Sequence, residues 1–99
     1  MITAIVLVTT DVDAVPEVAQ AIAEVEGVSE VYSVAGDVDL VVMVRVRRHE
    51  DLAEVITGRV GRVPGIRATS THVAFRAYSR HDLEAAFSLG LDEGLGEPD

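Results

Sequence analysis

The sequence predicts an α+β fold, a ferredoxin-like βαββαβ chain whose four-stranded antiparallel sheet carries its helices on one face. An extra C-terminal helix follows the last strand. Three observations carry this. Four segments are β-branched, apolar or alternating. Two stretches between them repeat their apolar residues at helical spacing. The junctions Val25-Glu26-Gly27-Val28 and Val63-Pro64-Gly65-Ile66 echo each other 38 positions apart, marking two βαβ halves.

The first strand is read over Met1 to Thr10. Its almost unbroken apolar run predicts a central strand covered on both sides. Thr9-Thr10-Asp11 ends it. Asp13 is the N-cap candidate of the first helix, and Pro16 falls in the first turn, where a missing N–H costs least. Val15, Val18, Ala19, Ile22 and Val25 make its apolar stripe, and Gly27 suits a left-handed stop.

Val28 to Ala35 reads as the second strand, and Gly36-Asp37 as a turn. Asp39 to Arg47 reads as the third. Leu40, Val42, Val44 and Val46 share a wholly apolar face that should meet the helices. Asp39, Val41, Met43, Arg45 and Arg47 share a mixed face. His49 to Val63 reads as the second helix, with Leu52, Val55, Ile56, Val60 and Val63 inward; neither Arg48 nor His49 is a good cap. Ile66 to Tyr78 is the fourth strand, and Asp82 to Leu91 the third helix. The domain is assigned to 1–91, and 92–99 is expected to be an acidic flexible tail.

Right-handed crossovers place both helices on one side of such a sheet. The other side then presents residues such as Val41, Met43 and Phe75, too apolar for water over a large area. A homodimer that pairs two such faces is the minimum assembly expected.

Composition narrows the function classes. The 99 residues fit one domain. They include no cysteine, so disulfides and thiolate metal sites are excluded. The formal charge is −9, and four negative charges lie in the last eight residues, leaving −5 on the rest. A surface of this sign repels phosphate backbones, so no direct nucleic-acid binding is expected. The apolar run Ile2 to Val8 is too short to span a bilayer and lacks a basic leader, which predicts a cytoplasmic chain with no membrane partner.

Catalytic signals are sparse. His49, His72 and His81 form no HxH or HxxxH pair, so no metal ligand set is assigned. No GxSxG elbow, GxGxxG or P-loop occurs, and no cofactor is expected. Asp37 and Asp39 could share a strand face and act as an acid/base pair. Equally, they are a Gly-Asp turn followed by a solvated carboxylate. Thr69 and Thr71 are either hydroxyl donors or simply β-formers. The facing of His72 depends on one step of register.

Gly36-Asp37-Val38-Asp39-Leu40 resembles the Gly-Asp-x-Asp signature of the effector domain (RAM domain) of the Lrp/AsnC, or feast/famine, regulators. Its flanks agree. Gly27-Val28-Ser29-Glu30-Val31-Tyr32-Ser33-Val34 looks like the strand that leads into that signature. Val63-Pro64-Gly65-Ile66 with Thr69-Ser70-Thr71 is similar to the family's Pro-Gly-Val and Thr-x-Thr segment. The likeness spans about residues 2 to 78. The signature's variable position, often aromatic in the family, is Val38.

The resemblance implies a domain that senses an amino acid or similar metabolite and takes part in transcription regulation. It implies a dimer through the sheets, closure of dimers into rings, and an effector seated between dimers near the signature turn. Members carry an N-terminal helix-turn-helix; this sequence opens on the first sensing-domain strand, so it is expected to be a stand-alone version, with DNA contact left to a helix-turn-helix partner of the same family.

The physical chemistry of a site runs parallel. Backbone N–H groups around Gly36 and Asp37 could hold an amino acid's carboxylate, because glycine permits close approach. Asp37 or Asp39 could pair with its ammonium. Ser33, Thr69 and Thr71 could supply hydroxyls from adjoining strands. Two other functions compete. A small dimeric monooxygenase- or isomerase-type enzyme would need a closed cavity in each subunit with His72 pointing in. A structural adaptor would co-assemble with a longer regulator through the same sheet face.

Overall fold

A computed structural model describes residues 1–80. The elements run β1 (Ile2–Thr10), α1 (Val15–Ala23), β2 (Val28–Ser33), β3 (Leu40–Val46), α2 (His49–Ile56), a 3-10 turn (Val60–Arg62) and β4 (Ile66–Val73). The strands form one antiparallel sheet in the order β2-β3-β1-β4. This is the predicted ferredoxin-like α+β architecture. The expected third helix at Asp82 to Leu91 and the acidic tail at 92–99 lie outside the described residues.

The core forms between one sheet face and the helices. Ala4, Val6 and Val8 of β1 and Leu40, Val42, Val44 and Val46 of β3 supply the sheet side. Val18 and Ile22 of α1, Leu52 and Val55 of α2, and Val60 supply the other side. The inward face of β3 is the one that alternation predicts. Burying an aliphatic side chain of this kind stabilises by roughly 1.5–3 kcal/mol.

β1 is central, between β3 and β4, but among the described residues it is not covered on both sides. Its residues alternate between buried and half-buried. The register places Ile5 opposite Met43 and Leu7 opposite Val41, so these four half-buried residues share the open face. The unbroken apolar run of β1 therefore serves two surfaces, of which the described helices cover one.

Several boundaries shift for local reasons. Asp13 does not cap α1: the cap position is Ala14, without a side-chain bond, and the Ala14 N–H instead donates to the Asp11 carbonyl at 3.0 Å. Pro16 does lie in the first turn. The predicted second helix divides in two. After Ile56 the helix ends in a wider turn, with the Gly58 N–H on the Ala53 carbonyl at 3.3 Å, and the 3-10 turn then returns Val60 to the core. Arg48 caps α2 without a side-chain bond, while Glu50 and Asp51 put negative charge at the positive end of the helix.

β2 ends at Ser33 rather than Ala35, because the Val34 N–H turns to the Asp39 carbonyl at 3.0 Å and closes the loop. β4 stops at Val73 rather than Tyr78. Its last paired residue faces Ala4, and the Ala74 N–H reaches the Thr3 carbonyl at 2.9 Å, close to where β1 begins. Phe75 thus lies beyond the sheet and is fully exposed, not part of the open face.

Candidate functional site

The β2–β3 loop, the end of β1 and the start of β4 meet at one pole. Asp39 pins the loop there twice. Its backbone N–H donates to the Val8 carbonyl at 2.9 Å, and its Oδ2 accepts the Thr10 N–H at 2.8 Å. Thr10 is itself buried, with its hydroxyl donating to the Asp11 carbonyl at 2.9 Å. The Asp11 N–H donates to the Gly65 carbonyl at 2.8 Å, which joins the β4 side to the same pole. Arg67 stands 3.9 Å from the Asp11 carboxylate.

Beyond the pinned base, the loop tip is open. Gly36 has φ +142°, and a Cβ there would meet no atom within 4 Å. Asp37 is exposed and, among the described residues, makes no hydrogen bond or ion pair. Asp37 lies in the loop and Asp39 just before β3, so the two do not stand on one strand face as an acid/base pair would.

The hydroxyls fall differently from the sequence expectation. Ser33 pairs with Leu40, Leu40 with Val8, and Val8 with Thr69, which makes one row across the helix-covered side of the sheet. Thr71 lies opposite Val6 on the same side. All three hydroxyl residues are exposed because they occupy the sheet's outer strands. Ser33 and Thr69 are thus not on adjoining strands: they sit on opposite edges, about 14 Å apart at the usual strand spacing. One amino acid cannot touch both within a single subunit.

His72 lies opposite Ile5 on the open face, 3.4 Å from the Ser70 hydroxyl. A cavity of about 360 Å³ does occur, but at the opposite end of β3, and His72 does not line it. His72 is itself exposed, whereas an enzyme reading needs it to point into a closed pocket. No group of three His, Asp or Glu among the described residues suits a metal ion. No helix among the described residues is long and apolar enough to cross a membrane.

The β2 edge holds a polar network that the sequence reading missed. Arg45 donates to the Ser29 hydroxyl at 2.6 Å and to Glu30 Oε1 at 3.4 Å, and Tyr32 donates its hydroxyl to Glu30 Oε2 at 3.0 Å. The hydrogen bond to Glu30 and that residue's negative charge hold the Tyr32 phenol above its ordinary pKa. The register irregularity between Val28 and Glu30 aligns these groups, and alternation alone does not show it.

Comparison with known proteins identifies relatives in sequence and fold. An uncharacterized HTH-type transcriptional regulator of Pyrococcus furiosus is 36% identical over 76 residues, which are 74% of this chain and 51% of that protein. The chain spans about half the length of the curated relatives it matches. The crystal structure of TTHA0845 from Thermus thermophilus is 45% identical, covers 81% of this chain and 100% of its own, and superposes with a TM-score of 0.76. The feast or famine regulatory protein Rv3291c from M. tuberculosis, solved in complex with L-methionine, is 27% identical with a TM-score of 0.62, over 81% of this chain and 54% of its own. The family model of the Lrp/AsnC ligand binding domain matches residues 3–83, and the chain belongs to that family.

Proposed function

We propose that this ligand-sensing regulatory domain binds an amino acid or closely related metabolite at the Gly36–Asp39 pole, in a site that two copies complete. The observation that carries the reading is the division of labour in the loop. Asp39 is held by β1, while Gly36 and Asp37 stand open above it. A preorganised base with a free tip suits capture of a small zwitterion, with the carboxylate on backbone N–H groups and the ammonium on Asp37.

The separation of Ser33 from Thr69 and Thr71 supports a shared site, because hydroxyls from both edges reach one ligand only if neighbouring subunits contribute them. The half-buried Ile5, Leu7, Val41 and Met43 support a homodimer sealed through the open face, with dimers then closing into a ring. The complex of the M. tuberculosis relative with L-methionine supports an amino-acid effector. The regulator names of the relatives support a non-catalytic role in the cytoplasm, exerted on transcription through a helix-turn-helix partner of the same family.

The test is a thermal-shift screen of the full chain against the common amino acids, with native mass spectrometry on each hit. At least one amino acid raises the melting temperature and shifts the assembly mass, and Asp37→Asn removes both effects. A complete panel without change in either readout overturns the sensing function. A pull-down that recovers no helix-turn-helix protein overturns the partner.

A further inference from the structure

At the far end of β3 from the Gly36–Asp39 loop, about 20 Å away along six residues of strand, lies the 360 Å³ cavity. That volume falls within the roughly 300–1,000 Å³ of small-molecule sites. Its apolar part comes from Val46 and Val55, both nearly buried. Gly27 closes the floor. Its carbonyl accepts the Arg45 N–H at 2.9 Å, and a Cβ on it would lie 2.8 Å from Val55 Cγ2. Helix α2 thus rests directly on the Gly27 backbone, and the floor has no room to collapse further.

The charges around this floor are unevenly satisfied. Arg59 is held by Glu54 at 3.1 Å and stands 3.9 Å from Glu26. Arg45 is held by Glu30, and Asp51 stands 3.6 Å from Arg48. Arg47 also lines the cavity, and among the described residues no carboxylate lies within ion-pair distance of it. Arg47 is thus the one arginine of the cavity lining without a carboxylate partner among the described residues.

We infer that this cavity is a second ligand site, which takes a small organic monocarboxylate with its carboxylate on Arg47 and its hydrocarbon part on Val46 and Val55. A planar guanidinium grips a carboxylate with two parallel hydrogen bonds. The site is independent of the Gly36–Asp39 pole, so either can fail without the other.

The probe is sodium propionate, titrated into the ¹⁵N-labelled full chain and followed by amide chemical shifts. Propionamide serves as the neutral isostere, and sodium chloride matches the ionic strength. Propionate produces saturable shifts at Gly27, Val46, Arg47 and Val55. Propionamide does not, and Arg47→Gln weakens the apparent affinity at least tenfold. Arg62→Gln, an exposed arginine that does not line the cavity, leaves the curve unchanged. Shifts that do not saturate, shifts equal with propionamide, or shifts that survive Arg47→Gln overturn the inference. Shifts confined to Gly36, Asp37 and Asp39 also overturn it and assign the binding to the other pole.

Discussion

Asp39 and Thr10 are 29 positions apart in sequence, yet the Asp39 carboxylate accepts the Thr10 backbone N–H at 2.8 Å. The contact fixes the signature loop to the end of β1 and satisfies an N–H at the register irregularity between Thr9 and Thr10. One oxygen of the Asp39 carboxylate is therefore engaged within the chain, whereas Asp37 makes no hydrogen bond or ion pair among the described residues.

Removing that contact should cost stability before it costs ligand. Asp39→Ala is expected to destabilise by about 1.5–3 kcal/mol, the range for a hydrogen bond to a charged group. Asp39→Asn retains an acceptor and should lose less. Urea denaturation of the two variants checks the order.

Gly36 and Gly27 both have positive φ, at +142° and +101°, but differ in their surroundings. Gly36→Ala meets only the backbone penalty, about 1–3 kcal/mol. Gly27→Ala adds a collision with Val55 Cγ2, for which overpacking costs roughly a further 1–3 kcal/mol. Denaturation midpoints should therefore fall further for Gly27→Ala. Equal losses would show that α2 yields at Val55.

Met43 sits half-buried on the open face, opposite Ile5 and Glu30. Met43→Glu should leave the monomer folded, since the side chain lies outside the core. It should weaken self-association by a hundredfold or more, about 1.4 kcal/mol per tenfold, because pairing the faces would bury an unmatched carboxylate. Sedimentation velocity across a dilution series reads the change, with circular dichroism to confirm the fold.

Tyr32 gives a pH-dependent readout of the β2 edge. Its phenol is held above the ordinary value near 10 by the bond to Glu30 and by that residue's charge. The unfolded chain releases this proton first, so the contribution to stability is complete below the ordinary value and is lost as pH rises through the raised one. In Glu30→Gln the titration should move back down. Absorbance at alkaline pH in a Tyr78→Phe background isolates the signal.

Much of the fold was legible because it rests on local periodicity. The β3 alternation from Leu40 to Val46 identified the buried face, the helical stripes identified Val18, Ile22, Leu52 and Val55, and the two glycine junctions located the βαβ halves. Errors fell where a boundary depends on a distant partner. β4 stops near the start of its antiparallel partner β1, and Asp13 does not cap α1, whose cap position is Ala14.

The sequence by itself determined the order of elements, the inward face of the sheet and the family signature, because strand and helix periods and a five-residue motif are written in consecutive residues. Only the tertiary structure decided that Asp39 is a clamp, that Ser33 and Thr69 face each other across the full width of the sheet, and that Arg47 borders a cavity. Those facts follow from strand order and register, which bring together residues far apart in the chain and are set by packing of the whole core rather than by any one segment.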